Sequence, residues 1–409
     1  MSGFLNFRDY IECMSDRISP VETETLLLKH LRMLPEESCA LSGALGRVLR
    51  VPVVSDRPSP PYDRVMMDGG AIHSESQPVD GWYQVRLETP AGVPGYAGEL
   101  LAGEAVGVST GSVMPTRADT VVPVEELIFE GERFRISAAP PPGAFIHPAG
   151  SDLAKGSVVL PAGKVLGARD VAVAAGYGAN RVRVGKKPVV GILTSGTELV
   201  NVDDEPMPHQ VRRSNDLAVA CLLQAAGFDS LPPVHLPDDP EQIRNALVDL
   251  LERCDVLFVC GGISKGKHDY LPEILVDLGC EKVFHRVKQK PGGPFGFWTG
   301  RACQVFGLPG NPLSTFVCTV RYGIPMLRAM TGAARPFEFA KLSTAVEIQP
   351  HPVLNLYKPF HLNAEGRAEP VPFQNSGDFI RPIGTGGLLS IPPCTRSLPA
   401  GSALSWIPW

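Results

Sequence analysis

None of the nine cysteines in this 409-residue chain forms a C-x-x-C pair, which argues against a zinc knuckle or a thioredoxin-type redox motif. With no disulfide-like spacing, free buried thiols are expected, and a reducing compartment fits them. No apolar run approaches the roughly 18 residues needed to span a bilayer. The first residues lack a basic stretch followed by an apolar one, so no export signal is read there and a cytoplasmic location is expected. There is no excess of positive charge: the net charge is −5. No nucleic-acid or membrane partner is therefore expected. Neither G-x-x-x-x-G-K-[ST] nor G-x-G-x-x-G occurs, so neither a Walker-type nucleotide site nor a dinucleotide fold is supported.

Glycine and proline are plentiful, at 42 and 40, which favours turns and β-rich parts over a helical bundle. The length calls for roughly two to four domains. Residues 7–50 read as mostly helical, with Ser19 as a cap before Pro20 and acids in the first turn. Residues 51–64 are Pro-rich and extended. From about 80 to 142 short strands are broken by Gly and Pro. Residues 143–183 are Gly-rich with one helical piece near 167–176.

The texture changes near 185. Val189–Leu193, Val256–Val259 and Val305–Leu308 are short apolar runs that read as strands. Between them, Ser214-Asn215-Asp216 opens a helix that stops near Gly227. Pro240 starts another helix, in which Ile243, Ala246, Leu247, Leu250 and Leu251 share one face. Alternating strands and helices predict a doubly wound α/β domain with a largely parallel sheet. In such sheets ligands bind at the carboxyl ends of the strands, here the loops 194–198, 260–269 and 309–312. After about 333, short apolar segments between Pro/Gly turns predict a small β-barrel or sandwich.

Thr194-Ser-Gly-Thr-Glu198 offers hydroxyls, backbone N–H groups and one carboxylate, a set that binds an anion. Taken alone, an ordinary capped turn accounts for it as well. In Cys260-Gly-Gly-Ile-Ser-Lys-Gly-Lys-His-Asp-Tyr270, Gly261 and Gly262 let backbone approach a ligand. Asp269, at the end of that loop, would serve equally as a solvated helix cap. Arg286, Lys288 and Lys290 alternate, so on an extended segment they form a positive stripe suited to an oxyanion. A solvated strand edge is the plainer alternative. Leu308-Pro-Gly-Asn-Pro312 runs from a strand into a Pro-started helix, a further anion site. Far upstream, Asp63, Arg64 and Asp68 cluster in a loop that could be a mere surface turn. Carboxylates at 68, 198, 238 and 269 among anion-binding loops suggest Mg²⁺ bridging protein and phosphate. Physics alone thus points to a Mg²⁺-dependent enzyme acting on a phosphorylated small molecule.

The ordered set is more specific than its parts. M-D-G at 67–69, T-G at 110, T-S-G-T-E-L at 194–199, S-N at 214–215, G-G-I-S-x-G-x-x-D-Y at 261–270, K-P-G-x-P at 290 and G-L-P-G-N-P at 307–312 follow one another. This order resembles the MoeA/gephyrin family, the molybdopterin molybdenumtransferases, over nearly the whole chain. The resemblance implies four parts. Residues 1–50 with 143–183 would form an elongated helical/β dimerisation domain, and 51–142 a β-rich domain carrying the M-D-G segment. Residues 184–332 would form the central doubly wound α/β molybdopterin-binding domain, and 333–409 a C-terminal small β-barrel.

It also implies a homodimer that inserts molybdate into adenylylated molybdopterin with Mg²⁺, releasing AMP. Carried over by position, Asp68, Glu198, Asp238, Asp269, Lys290 and Arg286 would be catalytic, with Glu198, Asp238 and Asp269 holding Mg²⁺. Thr110, Asp152, Thr194, Ser195, Gly196, Ser214, Asn215, Gly261, Gly262, Ser264, Pro309, Gly310 and Asn311 would bind the substrate. The chain departs from the family's pattern in four places: Gly70 replaces an aromatic, Arg286 and Gly293 replace lysines, and His147 replaces an arginine. Retention of the reaction is expected, with a tungstate-inserting variant or a molybdopterin-binding scaffold without turnover as alternatives. Pterin adenylylation, a third reading, would leave the M-D-G domain unexplained.

Overall fold

Ser19-Pro20-Val-Glu22 opens helix α1 (Pro20–Lys29) by a reciprocal cap. The Glu22 N–H donates to Ser19 Oγ at 3.2 Å, and the Ser19 N–H donates to Glu22 Oε2 at 2.6 Å. A cap of this kind contributes about 1 kcal/mol. The surrounding architecture is that of a computed structural model, which describes residues 17–263, 270–373 and 375–409. The chain divides into two compact units. One runs to Val51 and takes up Ala162–Gly167 and Arg181–Trp409; the other holds Pro52–Pro161 and Ala168–Asn180.

The expectation of a mostly helical 7–50 is corrected. Within its described part, only α1 and one 3₁₀ turn, Leu41–Gly43, are helical. Glu36–Ala40 is instead a strand, paired antiparallel with Arg181–Gly185. Long-range pairing overrides local preference here. Arg183 donates to Glu36 and Arg181 to Ser38, so the cross-strand side chains match as well.

The first unit is built on a six-stranded sheet. Its elements are β1 (Val190–Ser195), α2 (Asn215–Ala225), β2 (Val234–Leu236), α3 (Pro240–Arg253), β3 (Val256–Cys260), α4 (Leu271–Asp277), β4 (Glu281–His285), β5 (Gly296–Thr299), β6 (Gln304–Leu308) and α5 (Pro312–Cys318). The strand order is β2-β1-β3-β6-β5-β4. The first four strands are parallel, while β5 pairs antiparallel with β6 and β4 antiparallel with β5. Alternate residues of β3 pack on opposite faces. Val256, Phe258 and Cys260 join one core with Val219 and Leu223 of α2 and Leu313 and Val317 of α5. Leu257 and Val259 join another with Ile243, Leu247 and Leu250 of α3. Each fully buried aliphatic side chain contributes about 1.5–3 kcal/mol. The apolar stripe read from the sequence of α3 thus becomes its buried face, and the domain is doubly wound as expected.

Asp239 caps α3, accepting from the N–H groups of Glu241 and Gln242 at 3.0 and 2.9 Å. Ser214 stands at the cap position of α2, but its side chain makes no capping bond. From Leu271 onward α4 is described; Ser264 and Asp269 lie outside the described residues. Beyond Thr331, strands Lys341–Ser343, Asn355–Leu362, Ala368–Pro370, Gly387–Ile391 and Ala403–Pro408 pair antiparallel in sequence of contact. A bridge between Thr344 and Ala368 brings the two free edges together, so the ladder returns on itself.

The second unit carries a six-stranded sheet in the order Thr120–Pro123, Gly69–Ile72, Glu104–Val108, Tyr83–Thr89, Arg133–Arg135, Ile128–Glu130. The Pro-rich stretch after Val51 supplies short strands that pair with Ile146–His147 and Val158–Leu160. Helix Ala168–Gly176 lies where the sequence placed one. Among the described residues, no helix is long and apolar enough to cross a membrane.

Candidate active site

The chain leaves β1 for β2 at one sheet edge and then crosses to β3 on the other side of β1. The strand order therefore reverses at β1 and β3, where a crevice opens at the carboxyl ends of the strands. A cavity of about 420 Å³ occupies this place. Its walls carry Thr194, Ser195, Gly196, Glu198, Asn215, Asp238, Gly261, Gly262, Pro309, Gly310 and Asn311, eleven positions singled out from sequence. Cys260, Ile263, Leu199 and Pro294 complete it.

The glycines of the β3 loop are needed for shape. Gly261 and Gly262 have φ of +90° and +65°. A Cβ at Gly262 would lie 2.6 Å from Leu271 Cδ1 and 3.1 Å from Ser195 Oγ. Any other residue at Gly262 would be strained and would push into the β1 loop. The β1 and β2 loops are tied reciprocally: the Thr197 N–H donates to Asp238 Oδ2 at 3.2 Å, and the Asp238 N–H donates to Thr197 Oγ1 at 3.1 Å. Nothing in the sequence pattern of the T-S-G-T-E turn marks Thr197 for this role, which depends on a partner 41 residues away. Asn215 donates to Gly310 O at 2.7 Å and so joins α2 to the β6 loop.

Several buried polar atoms here have no protein partner: Thr194 Oγ1, Ser195 Oγ and Asn215 Oδ1. Buried groups of this kind cost roughly 1–3 kcal/mol each when unpaired, so a ligand that pairs with them gains that stabilisation. Asp216, wholly buried in the first turn of α2, is 3.5 Å from Arg213 Nη1. Burial pushes the Cys260 thiol up to about 12, so it remains protonated and is not a nucleophile at neutral pH.

Arg286 and Lys290 belong to the same unit but do not line the cavity; Pro294 of their segment does. The extended stripe is only partly formed. Val287 and Gln289 are buried while Lys288 is half-buried and Lys290 exposed, so alternation holds there. Arg286 instead has φ of +87°, in the left-handed region, which breaks a regular strand at its start. A buried network anchors this turn. Tyr322 Oη donates to Gln289 Oε1 at 2.5 Å, Gln289 Nε2 donates to Gly292 O at 3.2 Å, and the Gly292 N–H donates to Ser314 Oγ at 3.2 Å. It joins the K-P-G-G-P turn to α5, the helix that follows the P-G-N loop. The signal missed in the sequence was a glutamine facing a tyrosine 33 residues away.

Asp68, Thr110 and Asp152 lie in the other unit. Asp68 Oδ1 accepts from the Thr110 N–H at 2.6 Å and from Thr110 Oγ1 at 2.9 Å. The Thr110 backbone bond first, and then its hydroxyl, hold the Asp68 carboxyl below its usual value. His147 sits between Arg64 Nη2, 2.9 Å from Nδ1, and Asp152 Oδ1, 2.8 Å from Nε2. Arginine only donates, so Nδ1 accepts and Nε2 carries the proton given to Asp152. A Cβ at Gly70 would lie 2.5 Å from Phe134 Cζ, so the Phe134 ring fills the space beside this departure from M-D-G-Y-A.

Among the described residues, no group of three His, Cys, Asp or Glu side chains is gathered as a metal site. Glu198 and Asp238 share the cavity wall, and the third carboxylate named for Mg²⁺, Asp269, lies outside the described residues.

Comparison with known proteins gives a consistent result. Residues 18–178 match the MoeA N-terminal region (domain I and II), and residues 191–329 match a probable molybdopterin binding domain. The chain is 34% identical to a molybdopterin molybdenumtransferase of Synechocystis sp., covering 96% of this chain and 100% of that protein. A namesake from Nostoc sp. is 33% identical over 75% of this chain and 73% of its own. Among solved structures, a molybdopterin biosynthesis MoeA protein from Pyrococcus horikoshii OT3 aligns with a TM-score of 0.80 and 26% identity, over 96% of this chain and 100% of that one. The doubly wound domain, the β-rich unit and the near end-to-end match to these relatives together show that this chain belongs to the MoeA family, the molybdopterin molybdenumtransferases.

Proposed function

We propose that the chain inserts molybdate into adenylylated molybdopterin with Mg²⁺, releasing AMP. The observation that carries this reading is the cavity at the β1/β3 switch point, where two carboxylates face unpartnered buried hydroxyls and an amide oxygen. That donor set suits a phosphorylated, polar ligand with a hard cation. Thr194, Ser195 and Asn215 would bind and orient the phosphate-bearing substrate through the atoms that lack protein partners. Backbone at Gly261 and Gly262 would approach it closely. Lys290 and Arg286 would attract the oxyanion.

The residues present fit Mg²⁺: Glu198 and Asp238 offer oxygen ligands of the kind it prefers, and Glu198 makes no ion pair among the described residues. When bound, Mg²⁺ would neutralise charge on the pyrophosphate link. Asp269 and Ser264 belong to the same proposal by position in the motif, as do Asp68, Thr110, Asp152 and Ser214.

The four-part division at 1–50 with 143–183, 51–142, 184–332 and 333–409, a homodimer and a cytoplasmic location are also proposed, supported by family membership. The test is reconstitution: purified chain, adenylylated molybdopterin, molybdate and Mg²⁺, with AMP measured. Release of AMP that needs molybdate and falls in Glu198→Gln and Asp238→Asn is expected. No AMP from the wild type, or variants equal to it, would refute the proposal.

A further inference from the structure

A second cavity in the first unit, of about 350 Å³, shares no wall residue with the crevice at the β1/β3 switch point. Leu222 and Ala225, near the end of α2, line it together with Val320 and Ile324 of the helical run after α5. Phe339 and Trp406 add aromatic rings. Helix α2 therefore borders two cavities, the crevice through Asn215 at its start and this one through its last turns. The aromatic wall is fixed in place. The Trp406 N–H donates to Ala340 O at 2.9 Å, and the Trp406 ring meets Phe360 edge-on with centroids 6.0 Å apart. Trp409, also in the wall, donates Nε1–H to Thr385 Oγ1 at 2.8 Å. Preformed cavities of roughly this size, apolar with a few polar groups, are the usual sites of small ligands.

Three charged side chains line the cavity: Arg328, Arg335 and Glu338. Arg335 and Glu338 are exposed and pair with each other at 3.2 Å. Arg328 is half-buried, its Nε is buried without a hydrogen-bond partner, and its guanidinium makes no ion pair among the described residues. Burial alone holds it below its ordinary pKa, with no carboxylate opposing that effect. The carbonyl end of its own helix, Ile324–Met330, offers only partial charge.

Arg321, seven residues earlier, shows what this unit does with a guanidinium that serves the fold. It pairs with Glu24, donates from Nε to Tyr357 Oη at 3.1 Å, and lies over the rings of Tyr322 and Phe339 at 4.9 and 5.1 Å. Arg328 has no such set of partners, yet it keeps its charge at the wall of a mostly apolar cavity.

We infer that this cavity binds a small monocarboxylate with an aromatic body, the carboxylate on Arg328 and the body against Trp406 and Phe339. The planar fork of a guanidinium matches the edge of a carboxylate in two parallel hydrogen bonds. The apolar walls favour one negative charge over two, because each further charge must be stripped of water without a second cation to meet it. An aromatic body suits walls that already carry rings, through offset or edge-on contacts. The inference lies beyond the proposed reaction and does not depend on it, since binding is read without molybdate or pterin.

The test is calorimetric titration of the full chain with two probes of one shape, 3-phenylpropionate and its uncharged amide. Wild type should bind the acid with a Kd below about 1 mM, in keeping with a ligand of this size, and the amide more weakly. Arg328→Met keeps the apolar stem and removes the charge. It should weaken the acid about tenfold or more and leave the amide within about twofold. Acetate, which keeps the charge and lacks the body, should bind at least about tenfold more weakly than 3-phenylpropionate. The thermal midpoint of Arg328→Met should not fall, because an uncompensated, partly desolvated charge has been removed.

Equal affinity of wild type and Arg328→Met for the acid would overturn the inference. So would acid and amide binding equally well to wild type, or acetate matching 3-phenylpropionate. A parallel loss of acid and amide in Arg328→Met, with a lower thermal midpoint, would mark a structural role and overturn it too. Retained amide binding shows that the cavity is intact, so a loss confined to the acid supports the inference even if the midpoint moves. A chain that binds the acid through Arg328 but releases no AMP leaves the inference standing and refutes only the proposed reaction.

Discussion

Tyr322→Phe tests whether the K-P-G-G-P turn is held by its buried network. The substitution keeps the ring, which stacks on Phe295 with centroids 4.9 Å apart and planes 9° from parallel. It deletes only the hydroxyl that donates to Gln289 Oε1. Both side chains are buried, Tyr322 wholly and Gln289 to 2% exposure, so water cannot replace the lost donor. An unsatisfied amide oxygen at such a site costs about 1–3 kcal/mol. Gln289→Leu should cost at least as much, because it strands the Tyr322 hydroxyl and removes the donor to Gly292 O. The double variant removes both ends of the bond, so its cost should fall short of the sum by about 0.5–3 kcal/mol.

Equilibrium urea unfolding followed by tryptophan fluorescence measures all three. Three of the four tryptophans, Trp298, Trp406 and Trp409, belong to this unit, and Trp298 is fully buried. The turn should loosen in step with stability, so the KM for molybdate should rise in Tyr322→Phe while far-ultraviolet dichroism stays unchanged. Additive single and double variants, or a Tyr322→Phe within about 0.5 kcal/mol of wild type, would refute the reasoning.

Gly262→Ala places a Cβ at φ +65° and against Leu271, and should lose on the order of 1–2 kcal/mol from backbone strain alone, read by the same unfolding assay. Thr110→Val removes one of two bonds that depress the Asp68 pKa, so the Asp68 carboxyl should titrate at higher pH by carbon-detected NMR. Because the folded pKa is depressed, the stabilisation by Thr110 is present above the unfolded value of about 4 and is lost as pH falls through the folded pKa; Thr110→Val should narrow that loss. Native-state alkylation at pH 8 should label exposed Cys221 before Cys260 and Cys318, whose thiols burial pushes up and which should stay unlabelled until the fold opens.

The parts of the fold visible in the sequence are those set by contacts near in sequence. The apolar runs at 256–259 and 305–308, the stripe on α3 and the cap at Ser19 each depend on neighbours within a few residues, and each appears where it was expected. The candidate site was legible for the same reason. In a doubly wound sheet, the loops after parallel strands must meet at one edge, so the turns rich in Gly or polar residues at 194–198, 260–263 and 309–311 share a cavity once the strands are assigned.

What escaped was decided across long separations. The strand at 36–40 exists because Arg181–Gly185 offers it an edge. Tyr322 reaches Gln289, and Arg17 reaches the turn at Gly293, through packing that no local periodicity encodes. Arg286 shows the limit most clearly. Its alternation with Lys288 and Lys290 suggested one extended face, yet its N–H donates to Phe295 O and its carbonyl accepts from Ile18, and the residue adopts φ of +87° between these two bonds. The positive charge was visible in the sequence. The direction in which the backbone presents it was set by two partners, one nine residues downstream and the other near the opposite end of the unit.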